Sequence, residues 1–294
     1  MANYIDNAYV KAFSSNIEML SQQKGSKLRN AVRVKPGVVG EDVYIDQLKK
    51  SAAKTKTTRN ADVEYVNSEY DRRKVSMLDI YWADLIDKED KIKMLADPTS
   101  EYVVSATYAL GRKIDDLLCT AAFATAYTGD LGGTSTSFAY AQDGSTSMSI
   151  AASAAGLTLA KLLSAKELLD NNDCDEDEPR YIAVTGTQLK NLLNTTEVKS
   201  VDYNTVKALV KGELNTFCGF EFIRISTGIL DVASSVRSVI AWAKNGLGLA
   251  IGADLTTSID RLPTKHFSTQ VYASMSVGVT RMDEDKVVRI LCNE

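Results

Sequence analysis

The single histidine, His266, bounds the nucleophilic and metal chemistry this chain can carry. A Ser-His-Asp or Cys-His arrangement has to be built on it, and a His-rich metal site is excluded. It follows Pro263, Thr264 and Lys265 in a turn-like stretch, where a lone histidine is ordinarily solvated. Gly246, Gly248 and Gly252 come near the spacing of a nucleotide fingerprint. A strand-like run follows them, whereas a phosphate needs a helix N-terminus, so the reading is a hairpin at Asn245-Gly246. Gly25-Ser26-Lys27 lacks the first glycine of a P-loop and follows a helical pattern instead of a strand. Two charged clusters remain. Residues 170–178 (Asp170-Asn171-Asn172-Asp173-Cys174-Asp175-Glu176-Asp177-Glu178) are rich in oxygen ligands but lack the central glycine and terminal glutamate of an EF-hand loop. They read as a solvated acidic loop, with a cation site in a soluble α/β binding or hydrolytic protein as the alternative. Lys24, Lys27, Arg29, Arg33 and Lys35 form an acid-free basic run with no aromatic residue to stack bases. It suits contact with protein first and with nucleic-acid phosphates second. No catalytic constellation and no cofactor site survive, so the chain reads as no enzyme.

The elements around these clusters are more informative. Residues 41–77 are a long charged stretch in which Val43, Ile45 and Leu48 alternate with polar neighbours, as do Val63 and Tyr65. That period predicts two exposed or half-buried strands. Between them, residues 49–60 carry Lys49, Lys50, Lys54, Lys56 and Arg59 and nothing apolar larger than alanine. A two-stranded ribbon alone is marginal in water. Arms of about 15 residues project it roughly 50 Å at ~3.3 Å per residue. Such a ribbon is either disordered or lies on another copy of the protein.

Residues 3–23 read as a helix ended by Gly25, followed by an extended basic segment that Pro36-Gly37 stops. The dense apolar run from Met77 to Ile86 takes the chain back into a core. Asp97 and Pro98 can cap and open a spine helix lasting to about residue 127, with Val103, Ala106, Leu110, Ile114, Leu117 and Ala121 on its apolar face. Residues 128–149, rich in Gly, Ser and Thr, read as a surface loop. Beyond it, helices at 159–169, 187–193 and 203–209 alternate with strands at 181–184 and 220–225. Strands at 239–243 and 247–251 flank Asn245-Gly246, and two final strands, 270–279 and 286–291, are turned by Asp283-Glu284-Asp285.

Composition is that of a globular protein: 45% hydrophobic and 24% charged residues allow a sizeable core in 294 residues. The net charge is −4, which favours neither a DNA-coating protein nor an acidic tail. Its distribution is uneven, with 14 Lys/Arg against 9 Asp/Glu in residues 1–75 and 20 against 29 in the rest. Cys119, Cys174, Cys218 and Cys292 show no paired spacing and read as free thiols in a reducing cytoplasm. The start has no signal-peptide pattern and no 18-residue apolar stretch occurs, so no membrane is expected.

Two stretches carry a family resemblance. One is Gln22-Gln23-Lys24-Gly25-Ser26-Lys27-Leu28-Arg29 with Val38-Val39-Gly40. The other is Asp79-Ile80-Tyr81-Trp82-Ala83-Asp84 leading to Ala109-Leu110-Gly111-Arg112-Lys113-Ile114-Asp115. With the order of elements, they make the chain similar to the major capsid proteins of tailed bacteriophages, whose fold is shared with herpesvirus shells. The resemblance implies an α+β fold with an N-terminal arm (1–40), an extended β-hairpin loop (41–77), a peripheral domain with the spine helix (78–149 and 256–294) and an axial domain (150–255). It implies hexamers and pentamers closing into an icosahedral shell around double-stranded DNA, made in the host bacterial cytoplasm. The implied partners are other copies of the chain, a separate scaffolding protein, a portal protein and packaged DNA bound without sequence specificity. Intersubunit contact is then expected from Lys49, Lys50, Lys54, Lys56, Arg59, Tyr65, Arg72, Arg73 and Lys74 on the loop, and from Lys27, Arg29 and Arg33 on the arm. Some members cross-link through a loop lysine, but nothing here identifies an acceptor, so none is expected.

Overall fold

The structure, a computed structural model, describes residues 22–60, 62–63, 65–87, 99–141, 144–194 and 216–294. The helices expected at 3–23 and 203–209 and the Asp97-Pro98 cap lie outside the described residues.

Two seven-stranded mixed sheets share one apolar core. The first is built on three long antiparallel strands: β3 (Tyr70–Ile86), β12 (Leu247–Leu262) and β13 (Ser268–Arg281), in the order β12-β13-β3. β1 (Arg33–Pro36) joins the outer side of β12 in parallel, and β2 (Asp42–Leu48) pairs with the start of β3. β4 (Ala126–Thr128) and β5 (Thr134–Thr136) extend the far side. The second sheet places β11 (Val236–Ala243) between β14 (Val287–Asn293) and β7 (Arg180–Val184). β9 (Phe220–Arg224) and β8 (Thr216–Phe217) follow β7, while β6 (Ser149–Ile150) flanks β14 and β10 (Val232–Ala233) flanks β11.

The spine helix α1 (Thr99–Phe123) packs on β13, β3 and β12. Its buried positions include Ala106, Leu110, Ile114, Leu118 and Ala122, one residue further round than the expected stripe at its C-terminal end. α2 (Leu159–Asn171) is capped by Thr158, whose side chain accepts from the Lys161 amide, and packs on β14. α3 (Gly186–Asn194) follows β7 directly. Lys161 is buried without a carboxylate. Its ammonium donates to the carbonyls of Ala152, Ala155, Gly156 and Leu291 at 2.7–3.0 Å, tying α2, the loop before it and β14 together.

Several expectations need correction. β11 and β12 do not form a hairpin: a short 3-10 turn at Lys244–Gly246 carries the chain from the second sheet into the first. The final two strands are likewise split, β13 in the first sheet and β14 in the second. Asn-Gly is therefore a turn signal here, but the runs that flank it, 239–243 and 247–251, are buried on both faces and each enters a different sheet. In consequence 247–255 pairs with the first sheet and 287–293 with the second, across the boundaries expected from sequence. Residues 128–149 are not a plain surface loop. β4 and β5 lie within or beside them, Met148 and Ala141 are buried, and Phe138 packs against Phe123 at 5.0 Å between ring centroids.

The cysteines are free, and three are buried. Burial pushes the Cys174 and Cys292 thiols up to about 11 and raises Cys119 and Cys218. At neutral pH they are protonated and act as small apolar groups.

Glu294 closes the second sheet. Its carboxylate accepts from Arg237 Nε and Nη2 at 2.7 and 2.8 Å and also meets Gln188. The Arg237 hydrogen bond holds the carboxyl below the ordinary glutamate value of 4.5. The folded value is depressed, so the stabilisation is complete above 4.5 and is lost as pH falls through the folded value. The Tm of the wild type should exceed that of Glu294→Gln by a constant margin from about pH 8 to pH 6, with the margin closing below about pH 4. A margin that persists at pH 3 would contradict the assignment.

Candidate subunit-assembly site

The ribbon has a root and a tip with opposite physics. At the root, β2 pairs antiparallel with β3 from Asp42↔Ser76 to Leu48↔Tyr70. Ile45 and Val75 are buried there with Ala250 and Met282, and Val38, Val43 and Met77 pack around them. Each such aliphatic side chain contributes about 1.5–3 kcal/mol. The expectation of a ribbon with no core of its own is therefore wrong at the root. The expected second strand at 63–66 is also displaced: the return strand begins at Tyr70, and the paired arms are 7 residues long, not 15.

Below this apolar plug lies a buried charge triad. Arg73, expected at a subunit contact, is 3% exposed and donates through Nη2 to Glu284 Oε2 at 2.8 Å. Arg281 is fully buried and reaches Glu284 Oε1 at 3.4 Å. Its remaining nitrogens donate to the carbonyls of Ala122 in the last turn of α1, Ala124 just past it and Thr136 of β5. A cation at a helix C-terminus also meets the negative end of the helix dipole. Its guanidinium lies 5.3 Å from the Phe138 ring centre. Ribbon, spine helix and the 128–149 segment thus meet on one glutamate.

Along the paired strands and just beyond them the charges are exposed or half-buried and pair at short range. Arg72 pairs with Asp46 at 2.7 Å, Lys74 with Asp42 at 2.7 Å and Lys49 with Glu69 at 3.1 Å. Lys50 reaches Asp173 of the acidic loop at 2.8 Å, which raises the lysine and lowers the aspartate. Exposed pairs of this kind are worth about 0–1 kcal/mol each. From 49 to 60 every residue is exposed and none belongs to a strand, and Lys54, Lys56 and Arg59 lie here. Val63 and Tyr65 stand 76% and 84% exposed.

The acidic loop is divided among protein cations: Asp170 to Arg180, Asp173 to Lys50, Glu178 to Lys286. No three carboxylate, histidine or cysteine groups converge as a metal site among the described residues. His266 is exposed, at the turn between β12 and β13.

The arm root is anchored by a residue that sequence reading passed over. Asp115 of α1 is fully buried and accepts from Gln23 Nε2, Ser26 Oγ, and the Lys27 and Leu28 amides, at 2.6–3.1 Å. One turn earlier Gly111 lets the arm touch the helix: a Cβ there would stand 2.5 Å from the Ser26 nitrogen. Arg112 adds donations to Gln22 Oε1 and the Gln23 carbonyl. The two stretches quoted above for their family likeness are therefore in contact. Lys27 and Arg29 have partners inside the subunit as well, the Arg224 carbonyl at 2.7 Å and Asp254 at 2.9 Å, while Arg33 stands exposed on β1.

Against this geometry, a family model described as phage capsid protein matches residues 5–294. The chain belongs to the phage capsid protein family. The capsid protein also shares its fold with solved phage structures at low identity. It resembles the capsid of the cyanophage P-SCSP1u at 15% identity and TM-score 0.73, covering 100% of this chain and 96% of that one. It resembles the head of the Helicobacter pylori bacteriophage KHP40 at 12% identity and TM-score 0.73, covering 99% and 98%. The capsid of a native GTA particle aligns at 12% identity and TM-score 0.74, again over 99% and 98%. A search of curated protein sequences gives no match. The expected α+β capsid fold is thus borne out, and the capsid protein is a structural protein of the virion.

Proposed function

We propose that this capsid protein builds closed icosahedral shells of hexamers and pentamers around double-stranded DNA, with the ribbon of each copy lying on its neighbour in the capsomer. The observation that carries this reading is the contrast within the ribbon. Its root is fixed by a buried apolar plug and a buried ion triad, while residues 49–60 extend from it exposed and outside any strand, with five cations of which Lys49 and Lys50 pair within the subunit. A chain gains nothing as a monomer from so rigid a mount for so bare a tip. Around a ring, each weak contact is repeated and becomes cooperative.

In this reading residues 1–40 are the arm, 78–149 and 256–294 a peripheral domain on α1, and 150–255 an axial domain. The pairing of the strands supports moving 247–255 to the former and 287–293 to the latter. Lys49, Lys50, Lys54, Lys56, Arg59, Tyr65, Arg72 and Lys74 serve contact between copies, with Arg33 on the arm. Arg73 serves the ribbon's mount. A scaffolding protein, a portal protein and DNA held without sequence specificity are the further partners, assembly takes place in the host cytoplasm, and the chain has no catalytic role. Electron microscopy of the chain co-expressed with its scaffolding protein should show capsomers or closed shells. A strictly monomeric species under all assembly conditions would overturn the reading.

A further inference from the structure

One arginine between α1 and the second sheet lacks an acid. Each of the four buried arginines among the described residues is paired: Arg73 and Arg281 with Glu284, Arg180 with Asp170 and Arg237 with Glu294. Arg289 of β14 is half-buried, yet no carboxylate among the described residues pairs with it, and its Nε is shielded from solvent without a hydrogen-bond partner. What holds it is aromatic. Its guanidinium lies 4.8 Å from the ring centre of Phe123 and 5.9 Å from that of Phe138. Rings of this kind attract the cation and fix it in place but accept none of its in-plane hydrogen bonds.

Arg289 forms part of the wall of a cavity of about 740 Å³. Cys119 and Phe123 of α1, Ile240 of β11, and Ile229 and Leu230 of the loop before β10 supply apolar walls. That loop is held firmly. Buried Arg237 donates through Nη1 to the Thr227 and Leu230 carbonyls at 2.6 and 3.3 Å, and the Ser238 amide donates to the Asp231 carbonyl at 3.0 Å. The cavity is therefore preformed, and its volume is ordinary for a small-molecule site. Arg289 is the one cation among its described lining residues. Of the two carboxylates there, Asp116 is taken up by Lys113 at 2.6 Å, and Asp231 is exposed, where water and salt screen it.

We infer that this cavity binds a small amphipathic anion, a carboxylate on a compact apolar body, with Arg289 holding the carboxylate. A guanidinium matches a carboxylate through two parallel hydrogen bonds, and the apolar walls favour the body leaving water. The site lies within a single subunit and is independent of the ribbon and of assembly.

Titration calorimetry on the folded chain tests it with two probes, 1-naphthoate and 1-naphthalenemethanol, which share their rings and differ in charge. Naphthoate should saturate one site per chain and bind about 10-fold or more tighter than the alcohol. Arg289→Gln should remove that advantage and leave the alcohol's affinity unchanged. Ile229→Trp, which fills the cavity from the loop, should abolish binding of both. Failure of naphthoate to saturate the wild type would overturn the inference, as would equal affinity for the two probes. Undiminished naphthoate binding by a folded Arg289→Gln or Ile229→Trp chain would overturn it as well. Should Arg289→Gln fail to fold, the comparison of the two probes on the wild type still decides.

Discussion

Glu284→Ala is expected to destabilise the subunit by about 3–5 kcal/mol, because it strands two buried guanidinium groups without a counter-charge. Glu284 is the one carboxylate that both Arg73 and Arg281 reach, and the two arginines are 3% and 0% exposed. Arg73 already leaves Nε and Nη1 without a hydrogen-bond partner among the described residues, so nothing is in reserve there. The loss spreads beyond the ribbon, since Arg281 also holds the carbonyls after α1 and β5. Equilibrium urea unfolding should show the midpoint falling with little change in slope. Replacing all three charged residues together by apolar residues should recover only the charge-desolvation part of that loss, since the carbonyls of Ala122, Ala124 and Thr136 then lose their donor. A single variant within 1 kcal/mol of wild type would refute the triad's role.

The second large effect is expected at the arm anchor. Asp115→Ala removes a buried acceptor of four hydrogen bonds, two of them from backbone amides that no other group among the described residues takes up. Each buried donor left unsatisfied costs about 1–3 kcal/mol, so a loss of about 3–5 kcal/mol is expected. Gly111→Val acts on the same contact by another route, driving side-chain atoms into the Gly25 and Ser26 backbone. Overpacking typically costs about 1–3 kcal/mol, and here it should detach the arm in preference to unfolding the helix. Limited proteolysis after Lys24 and Lys27 should accelerate in both variants. The double variant should lose no more arm protection than Asp115→Ala alone, since both break one contact.

How much of this was legible in the sequence depends on the range of the interaction. The spine helix, β7, β9 and the strand at 42–48 follow from local period and were placed within a few residues. The second arm of the ribbon differs from the expectation because Val63 and Tyr65 alternate as a strand does, while no strand among the described residues pairs with them. That mismatch is what an intersubunit segment produces. The false hairpin at Asn245-Gly246 has a different origin: turn chemistry is local, but which sheet each strand enters is settled by packing over the whole core. Arg73 was assigned to a surface because charged residues usually lie there, and its partner is more than 200 positions away. Asp115 did leave a signal. Gly111 and Asp115 stand four apart beside the apolar stripe of α1, a notch and an acceptor on the buried face. The acidic loop was fairly read as a charged loop, and its partners Arg180, Lys50 and Lys286 come from three separate elements.

The central claim is that the ribbon is rooted in its own subunit and serves another. Deleting residues 49–60 isolates that claim, because it removes exposed chain only and shortens a loop, a change of small entropic cost. The measurement is paired: thermal unfolding of the deletion variant, and electron microscopy of the same preparation with scaffolding protein. The account predicts a Tm within about 2 °C of wild type and failure to form closed shells. A variant that assembles normally, or one whose Tm collapses along with assembly, would contradict it.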